Sequence, residues 1–281
     1  MEHDNSYKLI FTHAEMMADL LRGFVREEWV AQLDLSTLER VSGSHVSDDL
    51  RHREDDLIWR ARWGDGWLYV YLLLEFQSTV DPFMAVRLAT YVGLLYQDLI
   101  RGRQLAPSGR LPPVLPMVLY NGARPWTAAT DVAELIEAVP GGLDRYRPRL
   151  PYLLIDEGRY GESELASVRN LAAALFRLEH SRSPEDIRRV LQTLIEWLRA
   201  PEQRSLRRAL TTWLVRVLLP SRIPGVRIQE LQDLNEVDSM LAERVKEWTE
   251  QWKQQGLEEG RREGLQQGKQ EGLQQGLQQG L

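Results

Sequence analysis

Two carboxylates and an amide bracket the most strand-like stretch of the chain. From Asp56 onward, Leu57, Trp59, Ala61 and Trp63 alternate with Asp56, Arg60 and Arg62, and only Ile58 breaks the pattern. Gly64-Asp65-Gly66 then supplies the flexible residues of a short hairpin. The run Trp67 to Phe76 is apolar on both faces, as in a strand covered on both sides. Glu75 sits at its end, where an unpaired ion is costly, and Gln77 follows on the same face. A hairpin turned at residues 64–66 puts Asp56 near the level of Glu75. Two carboxylates and an amide converging there suit a divalent cation, because hard ions such as Mg²⁺ take carboxylate and carbonyl oxygens plus water. The same residues also admit a plainer reading, in which strand-end acids are solvated and Asp55-Asp56 forms a turn or cap. Spacing alone leaves both readings open.

The surrounding elements must hold that hairpin. A short segment with apolar Tyr7, Leu9, Ile10 and Phe11 precedes an amphipathic helix over 14–32, with Met17, Leu20, Leu21, Phe24 and Val25 on one side. Residues 33–54 show little periodicity and read as an irregular lead-in. His45 and His52 lie there without a third ligand at a metal spacing. After the hairpin, Asp81 and Pro82 start a helix to about Ile100, with Arg87 and Tyr91 on one face. Val114 to Tyr120 is a short apolar strand ended by Asn121-Gly122, and Pro116 in it argues for an edge or a bulge. A short helix over 131–139 and a buried strand over 152–155 complete an α/β core with a mixed sheet.

From Glu162 the pattern is helical, over 162–179, 184–199, 201–219 and 236–255. The last helix places Val237, Leu241, Val245, Trp248 and Trp252 on one stripe, which suggests a partner surface. The tail repeats glycine every four residues from Gly256 to Gly280. It reads as low-complexity sequence or as a strip that packs on a copy of itself. On these grounds residues 236–281 are expected to drive homo-oligomerisation.

Composition narrows the function classes. The 281 residues are 43% hydrophobic and 27% charged, ordinary for a globular protein. The absence of cysteine excludes disulfides, thiolate metal sites and cysteine nucleophiles, and fits a reducing cytoplasm. No apolar stretch reaches the length of a membrane span, so no membrane partner is expected. The net charge is −6, and the first 150 residues carry 16 basic and 21 acidic side chains. Nucleic acid would therefore have to be met by local basic clusters, with Arg101, Arg103 and Arg110 as candidates.

Asp followed on the next strand by Glu-x-Gln resembles the PD-(D/E)XK nuclease superfamily, in which Asp and Glu-x-Lys bind Mg²⁺ and activate water. HDNSYKLIF, DDLIW, LLLEFQSTVD, MAVRLATY and PPVLPMVLYNGARPW, in order over residues 3–157, further resemble the Rpn-type recombination-promoting nucleases. The resemblance implies a restriction-endonuclease-like α/β core over 1–157, a helical region over 158–255 and a repeat tail over 256–281. It implies a DNA endonuclease using Mg²⁺ or Mn²⁺, with Asp56 and Glu75 as metal ligands and Asp56, Glu75 and Gln77 as the catalytic set. Arg87 and Tyr91 would contact the substrate phosphate, and His3 and Asp4 would be accessory. Gln77 stands where the superfamily usually has lysine. The rival expectation is therefore a catalytically weak or inactive DNA-binding, self-associating protein that retains the fold.

Overall fold

The computed structural model describes residues 2–41, 56–75, 80–138, 140–222 and 231–246, and the side chains of all of these except 2–6, 56 and 73–75. Its order is α1 (Glu2–Phe11), α2 (Ala14–Phe24), β1 (Leu33–Arg40), β2 (Asp56–Trp63), β3 (Gly66–Glu75), α3 (Met84–Arg101), β4 (Val114–Tyr120) and β5 (Leu153–Asp156). Helices follow: α4 (Glu162–Ala166), α5 (Leu171–His180), α6 (Pro184–Trp197), α7 (Arg204–Trp213), α8 (Leu219–Arg222) and α9 at residues 234–246. The five strands lie in chain order in one mixed sheet. The β1–β2 and β2–β3 pairs are antiparallel, whereas the β3–β4 and β4–β5 pairs are parallel.

Both faces of the sheet are covered, which explains why β3 is apolar throughout and why Ile58 breaks the alternation of β2. Leu57, Trp59, Leu72, Leu119 and Ile155 point to a core shared with α1, α2 and α5 to α9. Ile58, Tyr69, Tyr71, Val118 and Tyr120 point the other way, under Met84, Leu88, Tyr91 and Leu95 of α3. The helices after residue 157 belong to the same core as the sheet, since Phe176, Leu191, Trp213 and Val237 cluster with Leu57 and Trp59.

Several elements differ from the sequence reading. Residues 2–11 are helical, and the helix expected over 14–32 ends at Phe24, followed by a 3₁₀ segment at Glu28–Gln32. The irregular lead-in contains a strand, β1, because Leu33 and Leu38 bury one side of an edge whose other side stays wet. A register shift between Asp34 and Glu39 blurs its alternation. Pro116 lies inside the sheet rather than on an edge strand. It falls one residue before pairing with β5 begins at Met117, so no β5 residue stands beside it. The helix expected over 131–139 is one 3₁₀ turn, Val132–Leu135, with the Asp131 carboxylate accepting from the Ala133 and Leu150 amides at 3.0 and 3.1 Å.

The helix expected over 162–179 is two. Asn170 divides them, capping α5 by accepting from the Ala173 amide while its own amide donates to the Asp19 carbonyl of α2. The helix expected over 201–219 contains a π turn at Leu214–Leu218. Val237 and Leu241 of α9 are fully buried, so the first half of that stripe is part of the core and not a free surface. Trp248, Trp252, the glycine repeat over 256–281, His45, His52, Asp55 and Gln77 lie outside the described residues.

Candidate active site

The hairpin is held by its turn. Gly64 has φ +57°, the positive value a type II′ turn takes at its first central position, and Trp63 pairs with Gly66. Counting from there, Asp56 pairs with Leu73, so it stands diagonal to Glu75 rather than level with it. Direct partners in an antiparallel pair share a face, and steps of two preserve it, so Asp56 and Glu75 occupy one face of the sheet. Diagonal positions of this kind are roughly 7–8 Å apart. It is the face covered by α3, since Ile58 and Tyr71 have the same parity.

The C-terminal ends of the three parallel strands extend that row. Glu75 pairs with Tyr120, and Tyr120 with Asp156. The Tyr120 hydroxyl donates to the Arg124 carbonyl at 2.8 Å, and its ring meets Trp126 edge-on at 5.0 Å. The buried Asp156 carboxylate accepts from the Trp126 amide at 3.3 Å and pairs with Arg159 at 3.2 Å. This ring packing requires Gly122, because a Cβ there would stand 2.1 Å from the Tyr120 hydroxyl oxygen. The loop after β4 is thus folded tightly over the row containing Glu75.

The other residues singled out from the sequence fall as follows. Asp81 accepts from the Phe83 amide at 2.9 Å at the entrance to α3 and forms an ion pair with Arg87 at 3.4 Å. Tyr91 is 2% exposed and packs with its ring 5.8 Å from Tyr71, beneath α3. His3 and Asp4 lie in α1, one turn before Tyr7.

A second polar cluster was not foreseen from the sequence. On the opposite face of the same end of the sheet, the Tyr7 hydroxyl donates to Glu157, which is 1% exposed. Burial first, and then the charge of Glu179, push the Glu157 carboxyl well above its ordinary value; the bond from Tyr7 acts the other way. Burial raises Glu179 to about 7, against the lowering effects of Arg222 and a hydrogen bond from Asn121. Glu157 Oε2 and Glu179 Oε1 are buried without a hydrogen-bond partner among the described residues. Such an arrangement favours protonated carboxyls near neutral pH. The only sequence signal was the charged pair Asp156-Glu157 at the end of an apolar strand.

Among the described residues, no group of three or more His, Cys, Asp or Glu side chains is placed to hold a metal. The donor pair that fits a hard cation is Asp56 with Glu75, by residue chemistry and by backbone register. Among the described residues, no helix is long and apolar enough to cross a membrane.

The model of the family described as "Putative transposase, YhgA-like" matches residues 1–208. Recombination-promoting nuclease RpnD of Escherichia coli O157:H7 is 33% identical over 130 residues, 44% of this chain and 48% of the relative. Recombination-promoting nuclease RpnA of Escherichia coli K12 is 31% identical over 121 residues, 43% of this chain and 40% of the relative. The putative inactive recombination-promoting nuclease-like protein YjiP of the same strain is 34% identical over 91 residues, 32% of this chain and 86% of the relative. The chain spans about half the length of the first two of these relatives. No solved structure matches it.

Proposed function

Because the chain belongs to the YhgA-like putative transposase family, we propose that it is a divalent-metal-dependent DNA endonuclease with a PD-(D/E)XK core, acting in recombination or on mobile elements. The observation that carries this reading is the register of β2 and β3, which sets Asp56 diagonal to Glu75 on one face of the sheet. The two carboxylates would hold Mg²⁺ or Mn²⁺ as hard oxygen donors. The ion, when bound, would supply Lewis acidity and a water activated for attack on phosphorus. Gln77 would orient the water or the scissile phosphate by hydrogen bonding. An amide has no charge, so neutralising the transition state would fall more heavily on the cation and on Arg87. The ion pair with Asp81 keeps Arg87 at the start of α3, the end nearer Glu75. Tyr91, buried against Tyr71, would act as a positioning residue rather than touch the phosphate. His3 and Asp4 would be accessory, on the helix that Tyr7 fastens to Glu157.

A second reading is a DNA-binding, self-associating protein that keeps the fold without cutting. Gln77 in place of lysine favours it, and two similar proteins are themselves named as inactive. Incubating supercoiled plasmid with the full chain in Mg²⁺, Mn²⁺ or EDTA separates the two. Metal-dependent nicking supports the endonuclease. Retardation of the plasmid without cleavage in either metal supports the second reading.

A further inference from the structure

At the far end of the hairpin, a cleft of about 260 Å³ opens between the β2–β3 turn and the loop after α3. Arg60, Arg62, Trp67, Tyr69 and Gln104 line it. Both guanidinium groups stack on the Trp67 ring, Arg60 at 4.5 Å and Arg62 at 4.0 Å from its centroid. Stacking fixes the plane of a guanidinium and leaves its N–H edges free to grip an anion. The two arginines differ in their partners. Arg60 is committed to the carboxylate of Glu39 and to the Tyr69 hydroxyl at 3.4 Å. Arg62 has no carboxylate partner among the described residues. Tyr69 donates to Gln104 Oε1 at 3.3 Å, which leaves the Gln104 amide hydrogens without an acceptor among the described residues. Arg62 and Gln104 therefore present preorganised, unused donors in one cleft.

The cleft also has a fixed relation to the candidate active site. Arg62 and Asp56 are six residues apart on one strand and on the same face, roughly 20 Å at the usual rise. Between the two ends lies α3, whose exposed positions Val86, Thr90, Gly93, Gln97, Ile100 and Arg101 include no carboxylate. In a chain of net charge −6, a helix surface without exposed acids that ends in such a cleft complements a polyanion. Arg103 adds to this end, since it is exposed and adopts φ +51°, where glycine is the usual choice. Asp65 is the opposing charge at the rim.

We propose that this cleft is a second, non-catalytic DNA contact, in which Arg62 and Gln104 hold a backbone phosphate of a duplex lying along α3. The proposal rests on the reading of the chain as DNA-binding, and it specifies the footprint. At about 3.4 Å per phosphate along one strand, roughly 20 Å corresponds to about six base pairs beyond the scissile position.

The test is fluorescence anisotropy with the full chain and a labelled 20-base-pair duplex in EDTA, where cleavage plays no part. Arg62→Ala is expected to weaken binding about tenfold and to reduce the slope of log affinity against log salt by about one. Asp65→Asn should tighten binding. Arg199→Ala, an exposed charge on the helical side, should bind as wild type does. Wild-type affinity and salt slope in Arg62→Ala would overturn the cleft as a contact while leaving the endonuclease reading intact. Loss of metal-dependent cutting as the flaw would instead appear in plasmid assays with no change in these arms. Unlabelled deoxythymidine monophosphate and inorganic phosphate serve as competitors. Displacement of the duplex only at millimolar concentrations is expected. Tight binding of the monophosphate that Arg62→Ala abolishes, with duplex affinity unchanged, would overturn the proposal in favour of a free-nucleotide site.

Discussion

Tyr7 and Glu157 lie 150 residues apart in the chain, and the tyrosine hydroxyl donates to the buried carboxylate. This bond joins α1 to the C-terminal end of β5. Glu157 keeps one oxygen without a partner among the described residues, so the cluster depends on holding a proton. Tyr7→Phe removes the one donor described for Glu157 and should destabilise the fold by roughly 1–3 kcal/mol, the usual cost of stranding a buried polar group. Urea unfolding measures it.

The same cluster should make stability depend on pH. Burial raises Glu179 to about 7, from an ordinary carboxyl value of 4.5. Between those values the folded chain holds a proton that the unfolded chain has released. Its contribution is therefore fully present below pH 4.5 and is lost as pH rises towards 7. Glu157 is shifted in the same direction and adds to the loss. Glu179→Gln cannot ionise, so at pH 8 it should be more stable than wild type by on the order of 1–3 kcal/mol, with the difference vanishing near pH 4. Thermal melts at both pH values provide the comparison, and equal melting temperatures at pH 8 would show that Glu179 is solvated.

Gly122→Ala tests the packing beside Glu75. The added methyl would collide with the Tyr120 hydroxyl, forcing the ring off the Arg124 carbonyl. Cleavage is expected to fall at least tenfold while the far-ultraviolet circular dichroism is retained, because the disturbance lies in the loop over the end of the sheet. Wild-type cleavage by this variant would separate the Tyr120 row from the site.

The association prediction changes with the structure. A chain ending near Gln232 loses Leu234, Val237 and Leu241, all fully buried, together with the Arg188–Asp238 ion pair. Buried aliphatic side chains contribute about 2–5 kcal/mol each, so that truncation should unfold or aggregate. A chain ending at Lys246 keeps them. It should be folded and monomeric if residues 247–281 drive self-association, and light scattering against the full chain checks this. Equal masses for the two would end the association proposal.

The parts of the fold readable from the sequence are those whose cause is local. β3 and β4 show as apolar runs bounded by glycine, asparagine and glutamine, and the β2–β3 turn by Gly64 at its first position. β1 was hidden because Leu33 and Leu38 alone are buried in it and its register shifts midway. Period-two alternation predicts which residues share a face but not how the turn counts, so the shared face of Asp56 and Glu75 was legible and their diagonal offset was not. The break at Asn170 is set by its bond to Asp19 on a distant helix, and the burial of Val237 by neighbours far along the chain. Glu157 was missed for the same reason. Its partner is on the first helix, and no spacing announces it.

Gln77 separates an orienting role from a charged one. If its amide only directs water, Gln77→Lys should cut as well as wild type or better, and Gln77→Ala should cut more slowly. Measuring metal affinity alongside cleavage rate keeps a ligand effect apart from a positioning effect. A lysine variant that binds metal and DNA normally but cannot cut would assign the amide a function that charge cannot replace.

The central claim is that Asp56 and Glu75 form one metal site on the face under α3. The most direct measurement is Mg²⁺-dependent nicking of supercoiled plasmid by folded wild type, Asp56→Ala, Asp55→Ala and Glu75→Ala, with circular dichroism of each. The account predicts that Glu75→Ala and Asp56→Ala lose at least a hundredfold in rate with unchanged spectra, and that Asp55→Ala is mildly affected. Cleavage by purified Glu75→Ala at the wild-type rate would contradict it.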